Sequence, residues 1–410
     1  MARLAGTLNQ DMKVIGLVCF PHMMSHVYWL VIPPMYPVLM SIYSLNYTQA
    51  GAIMTAFATS TMIAQTPVGF FVDRAGARSV LVLGLALEAT AIGAFGLTTA
   101  YWQMLPLAVL AGLGHTVFHP ADYAILSARV TEQRMGRAFS IHSASGYAGF
   151  AIAPIFMTGV AALWNWRAAF LLIGIVGLFA VLLLITQSAT LHGANVSSAD
   201  TGGGRARHKK GKSPTSLAEG MKLLVSFPVL MCFLYFILHQ MGGGGLRTFL
   251  VAALYQMYGT PQVVAAVALS GFTVGSVIGI LSGGFVADRF GPQIWTAIAT
   301  LVPAGLIIAL LGWVDIQGVL LVVLLAVSGY LFGLLIPSRD LLLRSVTPPG
   351  SMGKVMGFAS TGSNLGGALI PVILGYTMDV AGGRWVFWIS AIFVAGAFVT
   401  FITARTKYGE

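Results

Sequence analysis

The segment Gly69-Phe70-Phe71-Val72-Asp73-Arg74-Ala75-Gly76 lies between two long apolar runs, and Arg78 follows two residues later. A weaker copy, Gly284-Phe285-Val286-Ala287-Asp288-Arg289-Phe290-Gly291, occurs 215 positions further along the chain. Each copy places a carboxylate and a guanidinium at the end of an apolar run, where a membrane helix would meet water. The pair therefore indicates a duplicated unit of membrane-spanning helices.

The composition of the whole chain agrees with that interpretation. Only 8% of its 410 residues are charged, whereas 57% are hydrophobic, and soluble domains carry roughly 25% charged residues. So few charges cannot cover the surface of a soluble protein, which excludes a soluble enzyme and a disordered chain. The net charge of +10 is spread between apolar segments, so it forms no patch for nucleic acid. Long apolar runs favour helices over a β-barrel.

The apolar runs predict an all-α polytopic membrane protein with twelve transmembrane helices, because each is long enough for the roughly 20 residues that a span needs. A polar, glycine-rich and basic stretch over 188–216 predicts a linker on the cytoplasmic membrane surface. We therefore expect a six-helix bundle over 1–187 and a second over 217–410. The predicted spans are 14–42, 48–72, 79–99, 103–128, 138–161, 166–187, 223–254, 262–286, 293–313, 317–343, 354–378 and 384–403.

The two halves match in one register. A shift of 217 residues pairs Gly112 with Gly329, Pro120 with Pro337, Gly136-Arg137 with Gly353-Lys354, Gly149 with Gly366, Pro154 with Pro371, Arg167 with Arg384, and His22 with His239. So many matches at distinctive residue types indicate an internal duplication.

The basic residues predict the orientation, since cytoplasmic loops are enriched in Lys and Arg. With both termini cytoplasmic, 18 of the 22 Lys and Arg residues fall in cytoplasmic segments. The remaining four are Arg167, Arg247, Arg339 and Arg384. We expect a bacterial inner membrane protein with both ends in the cytoplasm.

The loop Gly69-x-x-x-Asp73-Arg74-x-Gly76-x-Arg78 resembles the signature loop of the major facilitator superfamily, and the stretch around Asp288 and Arg289 resembles it more weakly. In span 5, Gly146, Gly149 and Pro154 resemble the glycine–proline motif of that superfamily's antiporters. The resemblance covers the whole chain. It implies the major facilitator fold, in which two bundles open a central cavity alternately to each side.

Within that superfamily, Tyr36-Pro37-x-Leu39 and Phe118-His119-Pro120 resemble the fosmidomycin-resistance-type exporters. One departure concerns span 1, where that group tends to have His-x-x-x-Asn-Asp. This chain has His22-Met23-Met24-Ser25-His26, so a histidine replaces the acid.

Ionisable residues inside spans are costly and are functional candidates by default. His22 and His26, like His115 and His119, are four residues apart and are expected to share a helix face. Asp122 follows His119 by three residues, and histidine exchanges protons near neutral pH. A His119–Asp122 couple facing His22 and His26 is a plausible proton relay. The alternative is that these histidines are neutral, hydrogen-bonded packing residues.

The other candidates carry alternatives of their own. His239, Arg339 and Asp340 complete the expected cavity set in the second half, on spans 7 and 10. Arg247 either attracts anions in the cavity or snorkels to the membrane interface. Arg339 either attracts anions in the cavity or pairs with an acid such as Asp340. His142 and Glu88 are secondary candidates, since helix packing accounts for His142, and structural pairing for Glu88, better than a functional role does.

Two further motifs have mechanical roles. The cluster of Asp73, Arg74 and Arg78 with Asp288 and Arg289 is expected to hold the cytoplasmic side closed, because a carboxylate there can pair with arginines and a helix N-terminus. Gly146, Gly149 and Pro154 permit close packing and a kink. The run Gly242–Gly245 lacks the Lys-Ser/Thr ending of a phosphate-binding loop and is interpreted as a flexible break in span 7.

The leading hypothesis is a secondary active transporter, a proton-coupled exporter of small amphipathic or anionic compounds. The alternative is an uptake transporter for a transition metal or metal complex, with His22 and His26 as ligands. A receptor or scaffold would leave the buried ionisable groups without a purpose, and an enzyme is disfavoured since no nucleophile–base pair is apparent. We expect a monomer with no cofactor and no catalytic residue, whose partners are protons, a small molecule and the bilayer.

Overall fold

The computed structural model describes residues 2–187, residue 190, and residues 222–289, 293–348 and 352–405. The predicted linker therefore lies outside the described residues except for Thr190, and so do the side chains of Asp73, Asp288 and Arg289. In the described ranges the secondary structure is helical throughout, without a β-strand.

Six spans form the first bundle. Span 1 consists of α1 and α2, and span 4 consists of α5 and α6. The helices are α1 (Ala2–Trp29), α2 (Tyr36–Tyr43), α3 (Tyr47–Ala75), α4 (Ala77–Phe95), α5 (Tyr101–His115), α6 (Phe118–Arg129), α7 (Met135–Leu163) and α8 (Trp166–Thr186).

The second bundle also has six spans, each a single helix. They are α9 (Phe227–Tyr258), α10 (Gln262–Arg289), α11 (Gln293–Trp313), α12 (Gly318–Ser345), α13 (Met352–Ala381) and α14 (Arg384–Arg405). With twelve spans, both chain ends lie on the same side of the molecule, called here the terminal side; the opposite side is the far side.

Eleven segments of the described chain are long and apolar enough to cross a membrane. The twelfth span, α3, is not among these eleven segments, but its 29 residues are long enough to cross a membrane. Its polar face lies at the contact between the bundles, where Thr55 donates to the Ala368 carbonyl (2.8 Å). A helix buried between bundles does not need an apolar surface all round.

Prolines explain the two interrupted spans. Pro33 and Pro34 lie in a short 3₁₀ turn that separates α1 from α2. Pro120, in the first turn of α6, has no N–H to bond back to the Thr116 carbonyl, and α5 ends immediately before Thr116.

The predicted break at Gly242–Gly245 is wrong, because α9 continues through all four glycines. The glycines are buried and bring neighbouring helices close. A Cβ at Gly242 would lie 2.9 Å from Val394, and one at Gly245 would lie 2.7 Å from Leu374. Packing in the bundle therefore outweighs the low helix propensity of the run.

The duplication is visible in the packing. A Cβ at Gly112 would collide with the Phe57 carbonyl in α3, and a Cβ at Gly329 would collide with the Phe272 carbonyl in α10. Likewise, Gly149 lies against span 1 and Gly366 against span 7. The paired glycines thus make the same helix–helix contact in each bundle.

The bundles meet along two helix pairs, α3 with α13 and α7 with α10. At the far side, the Asp379 carboxylate near the end of α13 accepts hydrogen bonds from the backbone N–H groups of Tyr47 and Thr48, both at 2.8 Å. The Thr48 hydroxyl adds a third bond to Asp379. A carboxylate at a helix N-terminus satisfies unpaired N–H groups and interacts favourably with the helix dipole. This contact fastens the two bundles together on the far side.

We predict that Asp379→Asn weakens the far-side contact by about 1 kcal/mol, since it removes the charge from the helix N-terminus. The far-open population should then rise roughly fivefold. Double electron–electron resonance between spin labels on the exposed residues Ile42 and Tyr376 would then report a longer distance between the two labels. Asp315→Asn is the matched control, because Asp315 is an exposed far-side carboxylate bonded to Gln317 in its own loop. Identical distance distributions for Asp379→Asn and the native chain would contradict the prediction.

Candidate functional site

Five histidines converge inside the first bundle. His22 and His26 come from α1, His115 from the end of α5, His119 from α6 and His142 from α7. The rings of His22 and His142 are stacked with centroids 3.6 Å apart. His22 lies 4.7 Å from His26 and 5.3 Å from His119.

Asp122 lies at the centre of this cluster and has no exposed surface. Its Oδ2 atom is 2.9 Å from His142 Nε2, within a hydrogen bond, and 3.3 Å from His22 Nδ1. The His22 contact lacks hydrogen-bond geometry, so it is an electrostatic contact only. A buried carboxylate requires such partners, because leaving its charge unpaired is very costly.

The expected His119–Asp122 couple is not formed. Asp122 points into the bundle towards His22 and His142, whereas His119 is exposed. His115 and His119 nevertheless line one cavity, although the regular helix of span 4 is interrupted between them at Thr116 and Val117.

A second buried pair lies beside the cluster. Glu88 of α4 has no exposed surface, and its Oε1 atom is 3.0 Å from His115 Nδ1. His115 also packs against Trp29, with ring centroids 4.9 Å apart. Glu88 therefore has a structural partner, one of the two roles considered for it, and His115 is its partner rather than a member of the Asp122 contact set.

Small residues on α7 make room for the histidines. A Cβ at Gly146 would lie 2.8 Å from His26 Nε2 and 2.9 Å from His22 Nε2. A Cβ at Gly149 would collide with the Met23 carbonyl. Close approach of α1 and α7 thus depends on glycine at these two positions, and Pro154 lies further along the same helix.

The cluster opens into a cavity between the two bundles. Its volume is about 230 Å³. His26, His115 and His119 form part of its wall, so the protonatable cluster has access to the cavity. The lining residues are His26, Trp29, Thr61, Gln65, His115, Thr116, His119, Tyr147, Phe150, Gln240, Arg247, Ser363, Asn364 and Gly367. A second cavity of about 380 Å³ lies nearer the terminal side, between α7, α10 and Pro337.

Arg247 faces the central cavity of about 230 Å³ from the second bundle. Arg247 therefore lines the cavity instead of snorkelling to the membrane interface. Its guanidinium lies 5.6 Å from the centre of the Phe150 ring, which belongs to the first bundle. None of the ion pairs among the described residues involves Arg247. It is a cation in the cavity wall without a carboxylate partner there.

The other candidates of the second half lie apart from the cluster. His239 stacks on Tyr235 with centroids 5.3 Å apart. Arg339 pairs with Asp340, with Nη2 and Oδ1 2.8 Å apart, and its guanidinium lies over Phe236. Span 10 therefore does not line the central cavity as expected; spans 2, 5 and 11 contribute instead, with spans 1, 4 and 7.

The signature loop has a clear backbone role. Gly76 has a positive φ of 85°, a conformation that glycine adopts without strain, and it forms the turn between α3 and α4. Arg74 is exposed at the terminal side, and the Arg78 side chain is half-buried with no partner for Nε among the described residues.

Some cavity residues could not be found from the sequence pattern. Gln65 of α3 accepts a hydrogen bond from Asn364 of α13 at 2.9 Å, which joins the bundles at mid-depth. Trp29 and Gln240 also line the cavity. The only sequence signal for Gln65 and Asn364 is their polarity inside apolar segments.

The family model of the Major Facilitator Superfamily matches residues 18–267 and 232–409. The chain belongs to the major facilitator superfamily. The expected fold is therefore confirmed, and the chain is a membrane transporter, not an enzyme.

Two relatives of this transporter are named for drug resistance. The fosmidomycin resistance protein of Escherichia coli (strain K12) is 24% identical over 380 residues, 89% of this chain and 87% of that protein. Multidrug resistance protein 2 of Bacillus subtilis (strain 168) is 24% identical over 356 residues, 86% of this chain and 85% of that protein. Among solved structures, a bacterial homologue of the human lysosomal transporter Spinster, inward-facing and unoccupied, has a TM-score of 0.80 at 15% identity and covers 97% of both chains.

We predict that Gly146→Ala disrupts the histidine cluster of this transporter, because the new methyl group would lie under 3.0 Å from both His26 and His22. The expected loss of stability is about 1–3 kcal/mol, typical of overpacking, measured as a fall in Tm of the purified protein. Gly159→Ala is the matched control, since it lies on the same helix with no atom within 4 Å of its Cβ position. Equal Tm values for the two variants would contradict this role of Gly146.

Proposed function

We propose that this chain is a proton-coupled secondary transporter that exports small amphipathic or anionic compounds, and that Asp122 with its histidines carries the proton. The observation that carries the proposal is the buried Asp122 carboxylate in contact with two histidines, one of which stacks on the other. Ionisable groups at such depth in a membrane protein are typical of proton relays.

The cluster has a route for proton exchange. His119 is exposed on the cavity and lies 5.3 Å from His22 and 6.1 Å from His142, measured between ring centroids. These separations suit transfer through a bridging water, since each imidazole can donate at one nitrogen and accept at the other. A proton taken up at His119 then reaches the pair that contacts Asp122, where it neutralises the buried charge.

The substrate would occupy the central cavity. The two bundles both contribute to its wall, and substrate sites of such transporters lie at the interface of the repeats. The unpaired Arg247 favours compounds that carry negative charge, while Trp29 and Phe150 supply apolar contact area. The drug-resistance names of the two relatives described above agree with export of such compounds.

Orientation and setting are part of the same proposal. We place the terminal side in the cytoplasm, as the basic residues predict, and the protein in a bacterial inner membrane as a monomer. The loop of Asp73, Arg74 and Arg78 then faces the cytoplasm, where with Asp288 and Arg289 it would close that side. The Asp379 contact would close the opposite side.

We predict that Asp122→Asn lowers the rate of transport driven by a pH gradient at least a hundredfold, while substrate exchange without a gradient continues. The amide cannot take up and release a proton, but it can keep hydrogen-bonding His142. Proteoliposomes with an imposed pH gradient would be screened with fosmidomycin and a panel of amphipathic dyes. Glu132→Gln, an exposed carboxylate on the terminal side, is the control. Gradient-driven transport that persists in Asp122→Asn would exclude Asp122 as the proton carrier.

We predict further that Arg247→Gln raises the KM for anionic compounds roughly tenfold and leaves neutral amphipathic compounds nearly unchanged. A favourable charge pair in a partly buried site is worth about 1.5 kcal/mol or more, and Arg247→Lys should retain part of the effect because the charge remains. Arg384→Gln is the control, since Arg384 packs on Trp388 away from the cavity. An equal loss for anionic and neutral compounds would show that Arg247 acts on structure and not on charge selection.

A further inference from the structure

The histidine cluster contains a group of three with the geometry of a metal site. His22, His119 and His142 each offer one ring nitrogen, and these three nitrogens lie within 4.8 Å of one another. The His22 and His142 rings are also in direct contact, with centroids 3.6 Å apart. His26, the ligand expected with His22, is not part of this group.

The carboxylate behind the group favours metal binding. Asp122 is hydrogen-bonded to Nε2 of His142, whereas Nδ1 of His142 is buried without a hydrogen-bond partner. Metal-binding histidines characteristically donate their second nitrogen to a carboxylate, which fixes the tautomer and increases the basicity of the ligand. Asp122 therefore holds His142 with its free nitrogen available.

The third ligand gives access from the cavity. His119 is exposed, so an ion can arrive without opening the bundle, and a water molecule from the cavity can complete the coordination. Three protein nitrogens with one open position suit Zn²⁺ and Co²⁺. The donor set lacks the carboxylate and carbonyl oxygens that Mg²⁺ and Ca²⁺ require as direct ligands.

All three ligands belong to one bundle. The substrate of an alternating-access transporter is held between the two repeats and is released when they move. An ion bound by α1, α6 and α7 would instead stay with its bundle through the transport cycle. This placement favours an ion that blocks the site over one that is carried across.

We infer that His22, His119 and His142 bind a divalent transition-metal ion such as Zn²⁺, and that the bound ion inhibits transport by displacing the proton from the Asp122 cluster. The binding part stands alone, while the inhibition part rests on the proposed proton-coupled function. Metal ligation requires deprotonated imidazoles, so binding and protonation exclude each other.

The binding test uses the full chain purified in detergent with a tag that contains no histidine. Titration with Co²⁺ should give visible absorption typical of nitrogen coordination, with one ion bound per chain, and Zn²⁺ should displace it. We expect His119→Gln to weaken the affinity at least tenfold and Asp122→Asn to weaken it by roughly 10- to 100-fold. His239→Gln, which removes a membrane histidine outside the group, should leave the affinity unchanged.

Tm values measured in parallel separate lost ligands from lost folding. Metal binding that is absent in the native chain, or equally strong in the native, His119→Gln and Asp122→Asn proteins, overturns the site. Weakened binding in the two variants at native Tm supports it.

A transport arm separates the two proposals. Micromolar Zn²⁺ should slow pH-gradient-driven export at least fivefold in the native protein, with removal of the ion by a chelator restoring the rate. Zn²⁺ that binds through the three histidines yet leaves gradient-driven export unchanged overturns inhibition but keeps the site. Binding in a chain that never couples to a pH gradient refutes proton coupling, and with it the inhibition, while the site stands. Accumulation of radioactive Zn²⁺ inside the vesicles would overturn inhibition in favour of metal uptake.

Discussion

A carboxylate without access to water, in a protein surrounded by hydrocarbon, must have its charge balanced by the side chains that touch it. Asp122 imposes this constraint on the first bundle. His142 and His22 supply the contacts, which requires α1 and α7 to approach closely. Gly146 makes that approach possible because any Cβ there would collide with the histidine rings. The packing of α1 against α7 is therefore organised around this buried acid.

The two halves of the chain share a scaffold but not a chemistry. Gly112 and Gly329 make equivalent contacts in their bundles, so the duplicated helix packing persists. At the same shift of 217 residues, however, Asp122 corresponds to Arg339 and His119 to Ile336. The second half keeps only His239 from the cluster, and it contributes the cation Arg247 to the cavity. Protonatable groups and the unpaired positive charge thus lie on opposite walls of one cavity.

The sequence predicts the helices better than the site, for physical reasons. Span positions follow from the length and hydropathy of each segment, so most ends agree within a few residues. The partners of Asp122 could not be predicted, because His142 reaches it from another helix and spacing rules describe only neighbours along one continuous helix. The glycines of α9 gave a wrong prediction of a helix break. The low helix propensity of glycine is outweighed here by the close helix packing that these glycines allow.

Phe150 is the link between the cluster and the other bundle. Its ring lies 4.5 Å from that of His26 and 5.6 Å from the Arg247 guanidinium. In a medium of low dielectric constant two positive charges on either side of one ring repel strongly. Under the proposed mechanism a proton that reaches His26 would weaken this contact between the bundles, and an anionic compound beside Arg247 would restore it. The Asp379 contact lies at the far end of the same interface, between α3 and α13. A charge change at mid-depth therefore acts on two bundles that the Asp379 contact already joins on the far side. Separation of the bundles at Phe150 would then favour rotation of one bundle about that far-side contact.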